Sequence, residues 1–263
     1  MREKLVSVIM GAYNCEKYID RAIQSIVNQT YSNWELIICD DCSKDNTYSI
    51  LDNYSQKDSR IKVLKNETNM KLAYTLNKCL SVAKGEYVAR MDADDISLPE
   101  RLRIQTDFLN RNSEYSLVSC RAMVFDESGD LYIRGKEWEP TCKSMIKGSP
   151  FMHPTIVMRR EVYDTLQGYT VSKRTERGQD LDLWYRFFEK GYKGYILNDV
   201  LYKYHESQND FKKRTVKTAI GYVKTNLYGY RLLHMPVYDY VFAFKPLIPA
   251  ICPNKLLYKL KGK

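Results

Sequence analysis

The first half of the chain alternates short β-branched runs with stretches of helical periodicity. "LVSVIM" has the continuous apolar character of a buried parallel strand. In the following "EKYIDRAIQSIVNQ", Ile19, Ala22, Ile23, Ile26 and Val27 share one helical face, and Asn14 is placed to cap it. "WELIIC" predicts a second strand, and "SKDNTYSILDNYSQ" a helix capped by Ser43. "IKVLK" predicts a third strand and "LAYTLNKCLSVAKG" a helix stopped at Gly85. "EYVARM" predicts a fourth strand, and Pro99 opens a helix in "PERLRIQTDFLNR". Strand and helix recur at roughly 25 to 30 residues per unit, which implies βαβ units and an α/β fold with a mostly parallel sheet flanked by helices.

From about residue 113 the rhythm changes. "YSLVSCRAMVFDESGDLYIRG" predicts strands around the turn "ESGD", and "TIVMRREVYDTLQGY" a strand and short helix. "QDLDLWYRFFEKG" is an amphipathic helix with Leu183, Phe187 and Phe188 facing inward and Arg186 and Glu189 facing water. "YILNDVLYKYH" predicts closing strands, followed by the long basic, aromatic helix "FKKRTVKTAIGYVKTNLYGYRLLH" and the Pro-broken "PVYDYVFAFKPLIPAICP". The expected organisation is a catalytic unit over 1–208, divided into halves at 1–112 and 113–208, and a C-terminal helical extension over 209–263.

Composition alters this picture in two places. Seven cysteines, an odd number without a disulfide rhythm, point to a reducing cytoplasm, and the lone "CDDC" pair lacks the second pair a zinc site needs. The net charge is +9, yet the segment from Asp210 onward holds eleven Lys/Arg against two Asp, so the whole excess sits in the extension. The N-terminal apolar run is too short for a signal peptide, and no stretch has the roughly twenty apolar residues of a membrane span.

The chemistry concentrates at three predicted strand ends: "GAYN", "CDDCS" and "DADD". Ligands bind open α/β sheets at such ends. Two carboxylates about 5 Å apart repel by ~3 kcal/mol at an effective dielectric near 20, so three acids in four positions invite a cation. Capping of the next helix explains one of Asp92, Asp94 and Asp95, but not all three. Carboxylates cannot cradle phosphate directly. They can hold Mg²⁺ or Mn²⁺ and reach a diphosphate through it. No P-loop and no glycine-rich dinucleotide turn follows the first strand.

"VSVIMGAYNCEKYIDRAIQSIVNQTYSNWELIICDDCSKDNT", followed by "GEYVARMDADDISLPERL", resembles the family 2 glycosyltransferases with the GT-A fold, from Val6 to about His205. The resemblance implies an inverting transfer of sugar from a nucleotide-diphosphate donor, usually UDP-linked, with Mn²⁺ or Mg²⁺. It implies that Ala12, Tyr13 and Asn14 line the nucleotide pocket, that Asp41 meets the uracil, and that Lys71 and Asn77 lie near base and ribose. Asp94 would ligate the metal, with Asp92 on the nucleotide side and Asp95 towards metal or donor sugar. Where the family carries a Glu-Asp pair, this chain has Gln179 and Asp180, so Asp180 is the expected general base, kept ionised by its helix N-terminus. His205 of "LYKYH" would approach metal or diphosphate, and His153 of "FMHPT" the acceptor.

The basic, aromatic extension lies outside the resemblance. It suits an anchor on an anionic membrane surface, against the competing reading of a helix packed on the catalytic unit or on a partner subunit with its charges solvated. Nucleic acid is disfavoured as a partner, because the basicity is confined to a tail behind an enzyme-like domain. The expected protein extends a glycan or lipid-linked acceptor for a surface polysaccharide at the cytoplasmic membrane face. The alternatives are a sugar-nucleotide-binding or scaffold subunit without catalysis, hinted at by Gln179, and a sugar-1-phosphate nucleotidyltransferase. The latter would need a Gly-rich basic loop where "GAYNCEKY" stands.

Overall fold

The computed structural model describes residues 3–206 and 215–251. Among these, nine strands form one sheet in the order β3-β2-β1-β4-β8-β6-β9-β5, with β7 paired to β6. The strands β1 (Val6–Ala12), β2 (Trp34–Asp40), β3 (Ile61–Lys65) and β4 (Tyr87–Arg90) are parallel, as the βαβ rhythm requires. The sheet then turns mixed. β8 (Val157–Arg159) joins β4 and β6 (Leu117–Asp126) antiparallel, and β9 (Gly194–His205) runs parallel to β6. Two short additions, β5 (Ile96–Ser97) on β9 and β7 (Gly129–Arg134) on β6, are antiparallel.

Period-two alternation along the central strands divides the core between the two faces. Val8, Met10, Leu36 and Ile38 face α1 (Ile19–Val27) and α2 (Thr47–Lys57) through Ala22, Ile23, Ile26 and Leu51. Ile9 and Ile37 point the other way, to Leu76 of α3 (Lys71–Val82) and to the cluster around Trp184 of α6 (Gln179–Glu189). The remaining helices are α4 (Arg101–Arg111), α5 (Arg160–Thr165), α7 (Val216–Leu232) and α8 (Leu247–Ile251), with a 3-10 segment over Val237–Phe244.

Both expected helix caps are corrected. The residue before α1 is Tyr18 and that before α2 is Asn46, neither with a side-chain cap bond. Asn14, in the left-handed region at φ 48°, instead bonds across to the next loop: its N–H donates to Ser43 Oγ (3.0 Å) and its Oδ1 accepts from Lys44 N–H (2.8 Å). The two polar residues spend their bonds tying the β1–α1 and β2–α2 loops together. Arg186 is also corrected. It turns inward to Asp182 (2.9 Å) and donates to the carbonyls of Leu166 and Gly168, because buried Asp182 needs cationic partners and Arg174 (2.6 Å) supplies the other.

α7 lies along α6 as part of the second core cluster. Tyr185 Oη of α6 donates to Asn226 Oδ1 (3.0 Å), and Tyr230 packs edge-on to Tyr185 at 6.0 Å. Of the eleven basic residues read in the extension, Lys212, Lys213, Arg214, Lys255, Lys259, Lys261 and Lys263 lie outside the described residues. Among the described residues, no helix is long and apolar enough to cross a membrane.

Candidate active site

A cavity of about 1100 Å³ opens over the C-terminal ends of β1, β2 and β4 and reaches the N-terminus of α6. Gly11, Ala12 and Tyr13 line it from β1, and Asp41 from the end of β2. Asp41 fixes the loop ahead of α3. Its carboxylate accepts from Asn66 Nδ2 (2.8 Å), Met70 N–H (2.7 Å) and Lys71 N–H (2.9 Å), which holds Lys71 in the left-handed region (φ 69°) with its side chain on the cavity.

The acids after β4 separate by environment. Asp92 lines the cavity and is paired with buried Arg90 (Nη1–Oδ2 2.5 Å). Asp94 lines it too, with its side chain 42% exposed and Oδ2 3.5 Å from His205 Nδ1. That imidazole is buried against Tyr18 and Phe125, and Asp94 beside it raises its pKa. Asp95 is a correction: it is fully buried, away from the cavity wall, and its Oδ1 accepts from His205 N–H (2.7 Å). Burial, then the charges of Asp92 and Asp94, push its pKa up. Through that bond it holds the backbone of His205.

Two other residues fall off the cavity wall. Asn14 is used in the loop tie described above. Asn77 clamps the backbone of Tyr169, its Nδ2 donating to the carbonyl and its Oδ1 accepting the N–H, each at 2.8 Å. Both bonds of that amide are spent on folding the loop after α5.

On the opposite wall Gly178, in the left-handed region (φ 106°), immediately precedes α6, and Gln179 and Asp180 face the cavity. Burial raises the Asp180 pKa, and the N–H groups of the helix end and nearby Arg90 only partly offset it. The helix N-terminus acts in the expected direction, but burial outweighs it, and a raised pKa makes a stronger base. His153 also lines the cavity, with Nε2 2.8 Å from Tyr169 Oη. Burial and the Arg90 charge push its pKa well down, so the ring is neutral.

The sequence reading missed Arg90, although it opens "RMDADD", because nothing in the pattern signals that its guanidinium turns under the cavity. It also missed the far wall, all of it in the extension: Thr215, Thr218, Ala219 and Tyr222 along α7, and Pro246, Pro249 and Ala250 beyond that helix.

Among the described residues no three His, Cys, Asp or Glu side chains converge as a complete metal cage. Asp94, with His205 Nδ1 buried and lacking a hydrogen bond, still fits a hard divalent cation. Mg²⁺ and Mn²⁺ use one or two protein ligands and complete their shells with substrate phosphates.

A family model described as "Glycosyl transferase family 2" matches residues 7–167. The chain belongs to glycosyl transferase family 2. It is a glycosyltransferase, and its family 2 relatives extend the match beyond that segment. It is 45% identical over 262 residues to "Putative glycosyltransferase EpsE" of Bacillus subtilis, covering 98% of this chain and 93% of that one. It is 32% identical over 218 residues to an Escherichia coli "UDP-Glc:alpha-D-GlcNAc-diphosphoundecaprenol beta-1,3-glucosyltransferase", covering 80% of this chain and 82% of that one. The crystal structure of S. aureus TarS in complex with UDP superposes with a TM-score of 0.69 at 21% identity, over 97% of this chain and 77% of that one. That likeness places the family 2 chain in the GT-A fold.

Proposed function

We propose that this glycosyltransferase is inverting and metal-dependent, and that it moves a sugar from a UDP-linked donor to a lipid-linked glycan during surface polysaccharide synthesis. One observation carries the reading: a single cavity joins the ends of β1, β2 and β4 to Asp180 at the start of α6. The nucleotide lies across Ala12, Tyr13, Asp41 and Lys71, with its ribose towards Asp92. Asp94 and His205 would hold a divalent cation, which when bound would supply positive charge against that developing on the departing diphosphate. Asp180 takes the proton of the acceptor hydroxyl as that oxygen attacks the anomeric carbon from the face opposite UDP. Arg90 holds Asp92 and, from below, tempers the rise in the Asp180 pKa. UDP as donor and a diphospholipid acceptor are supported by the activity for which the Escherichia coli relative is named.

Membrane association belongs to the same proposal. Val237, Tyr238, Val241 and Ile248 are 85, 76, 67 and 66% exposed, and Phe242 and Phe244 are about half so. They adjoin Pro246 and Pro249 at the cavity wall, with Lys245 beside them, in an extension that carries eleven Lys/Arg. An exposed apolar strip within a basic extension suits an interface with anionic lipid, at the inner face where nucleotide sugars are available.

A screen of UDP-sugars for hydrolysis with and without Mn²⁺ tests the reaction. One donor should be cleaved only with metal, and Asp94→Asn should lose metal-dependent UDP binding. Equal UDP–Mn²⁺ affinity in Asp94→Asn refutes the metal assignment. Pyrophosphate release from UTP and sugar-1-phosphate would favour the nucleotidyltransferase.

A further inference from the structure

The C-terminal extension supplies a face of the cavity that no part of the family match contains. Thr215, Thr218, Ala219 and Tyr222 are spaced i, i+3, i+4 and i+7, so they share one side of α7, and all four line the cavity. The donor-side residues Ala12, Tyr13 and Asp41 stand on the strand ends, and the Asp180 helix end lies beside α7.

Tyr222 is fixed at that junction. A Cβ on Gly178 would lie 2.9 Å from Tyr222 Cε1 and 3.1 Å from Cδ1, so the ring sits directly on the residue that precedes α6, two positions before Asp180. Only glycine permits both that approach and the φ of 106°. The ring is only half-buried, leaving part of it to line the cavity. Around it, α7 is bolted to the loop before α6: Thr225 Oγ1 donates to the Arg174 carbonyl (3.2 Å), and the Arg174 guanidinium stacks on Tyr228 at 4.2 Å. Arg177, exposed on the same rim, has no ion-pair partner among the described residues.

A rigid aromatic ring matches the apolar C–H face of a pyranose. An unpaired guanidinium beside it matches a diphosphate. We infer that this face of α7 is the acceptor subsite, with Tyr222 as the platform for the terminal pyranose of a glycosyl-diphospho-lipid, presenting its hydroxyl to Asp180. The inference rests on the reading of Asp180 as base, and it adds the residue that selects the acceptor.

The test uses farnesyl-diphospho-N-acetylglucosamine as a soluble probe, its binding to the full chain measured by saturation-transfer NMR and titration calorimetry. Wild type should bind it, with the pyranose C–H protons saturated. Tyr222→Phe should bind within about threefold. Tyr222→Leu, which still covers Gly178 but lacks a ring face, should bind at least about tenfold more weakly; Tyr222→Met replaces it if the leucine variant does not fold. UDP–Mn²⁺ affinity is read in each protein as a check on the donor side. Equal probe binding by wild type and Tyr222→Leu overturns the subsite, as does a wild type that cleaves a UDP-sugar but does not bind the probe. If wild type cleaves no donor while Tyr222→Leu still loses the probe, the proposed reaction falls and the subsite stands.

Discussion

Replacing Gly229 with alanine asks whether α7 is an integral wall of the catalytic unit or an attached tail. At a solvent-facing helix position, Gly→Ala stabilises by about 0.5–1 kcal/mol, because alanine loses less backbone freedom on folding. Gly229 is different: a Cβ there would lie 2.2 Å from both Cγ and Cδ2 of Tyr185. Carbon atoms rest at about 3.5–4.0 Å, so ring and helix must part by more than ~1 Å. Tyr185 cannot swing aside, since it is fully buried, bonded to Asn226 and packed against Tyr230. Overpacking of this kind costs up to about 3 kcal/mol, which exceeds the propensity gain and leaves a net loss of about 2 kcal/mol. At roughly 2–4 °C per kcal/mol for a chain of this size, the melting temperature should fall by about 4–8 °C. Differential scanning calorimetry of the purified full chain decides it by sign. A melting temperature that rises, as for an exposed helix glycine, refutes the close packing of α7 on α6.

Three further outcomes are expected. Asp180→Asn should lower transfer by about 10²–10⁴-fold while raising the melting temperature near neutral pH, because it removes a carboxylate whose charged form burial disfavours. The Asp180 pKa is raised in the folded state, so that stability gain should vanish as pH falls through the raised value towards the ordinary carboxylate range. The acid limb of the wild-type rate profile should likewise lie above that range; an unchanged rate in the asparagine variant would remove Asp180 from the chemistry. Asn77→Ala should cost about 1–3 kcal/mol by orphaning the Tyr169 backbone groups, with UDP–Mn²⁺ affinity near wild type, and a selective loss of nucleotide affinity would restore Asn77 to the pocket. The double change Val237→Glu and Val241→Glu at exposed positions should keep the fold but lower binding to anionic vesicles about tenfold in a flotation assay, whereas undiminished binding would place the lipid contact elsewhere.

The acids whose place on the cavity was legible in sequence were those fixed by backbone position. Asp41, Asp92 and Asp94 lie at strand ends, and a parallel sheet brings its strand ends to one edge whatever the details of packing. The roles of Asn14, Asn77 and Asp95 were not legible, because an Asn or Asp in a loop can turn to a ligand or to a neighbouring backbone amide at nearly equal sequence cost. The structure turns all three to protein partners: Asn14 to Ser43 and Lys44, Asn77 to Tyr169, Asp95 to His205.

Local pattern determined the parallel half of the fold, since period-two strands and 3.6-residue helices are set by neighbours along the chain. It also set the concentration of negative charge in "DADD", because repulsion there needs only covalent proximity. Tertiary structure alone decided what stands opposite. Basic and aromatic residues on a long helix look the same in sequence whether they meet lipid or another helix. Only the fit of Gly229 against Tyr185 and of Tyr222 against Gly178 shows that α7 faces inward and closes the cavity beside Asp180. That fit depends on contacts between residues some forty positions apart, which no periodicity along the chain encodes.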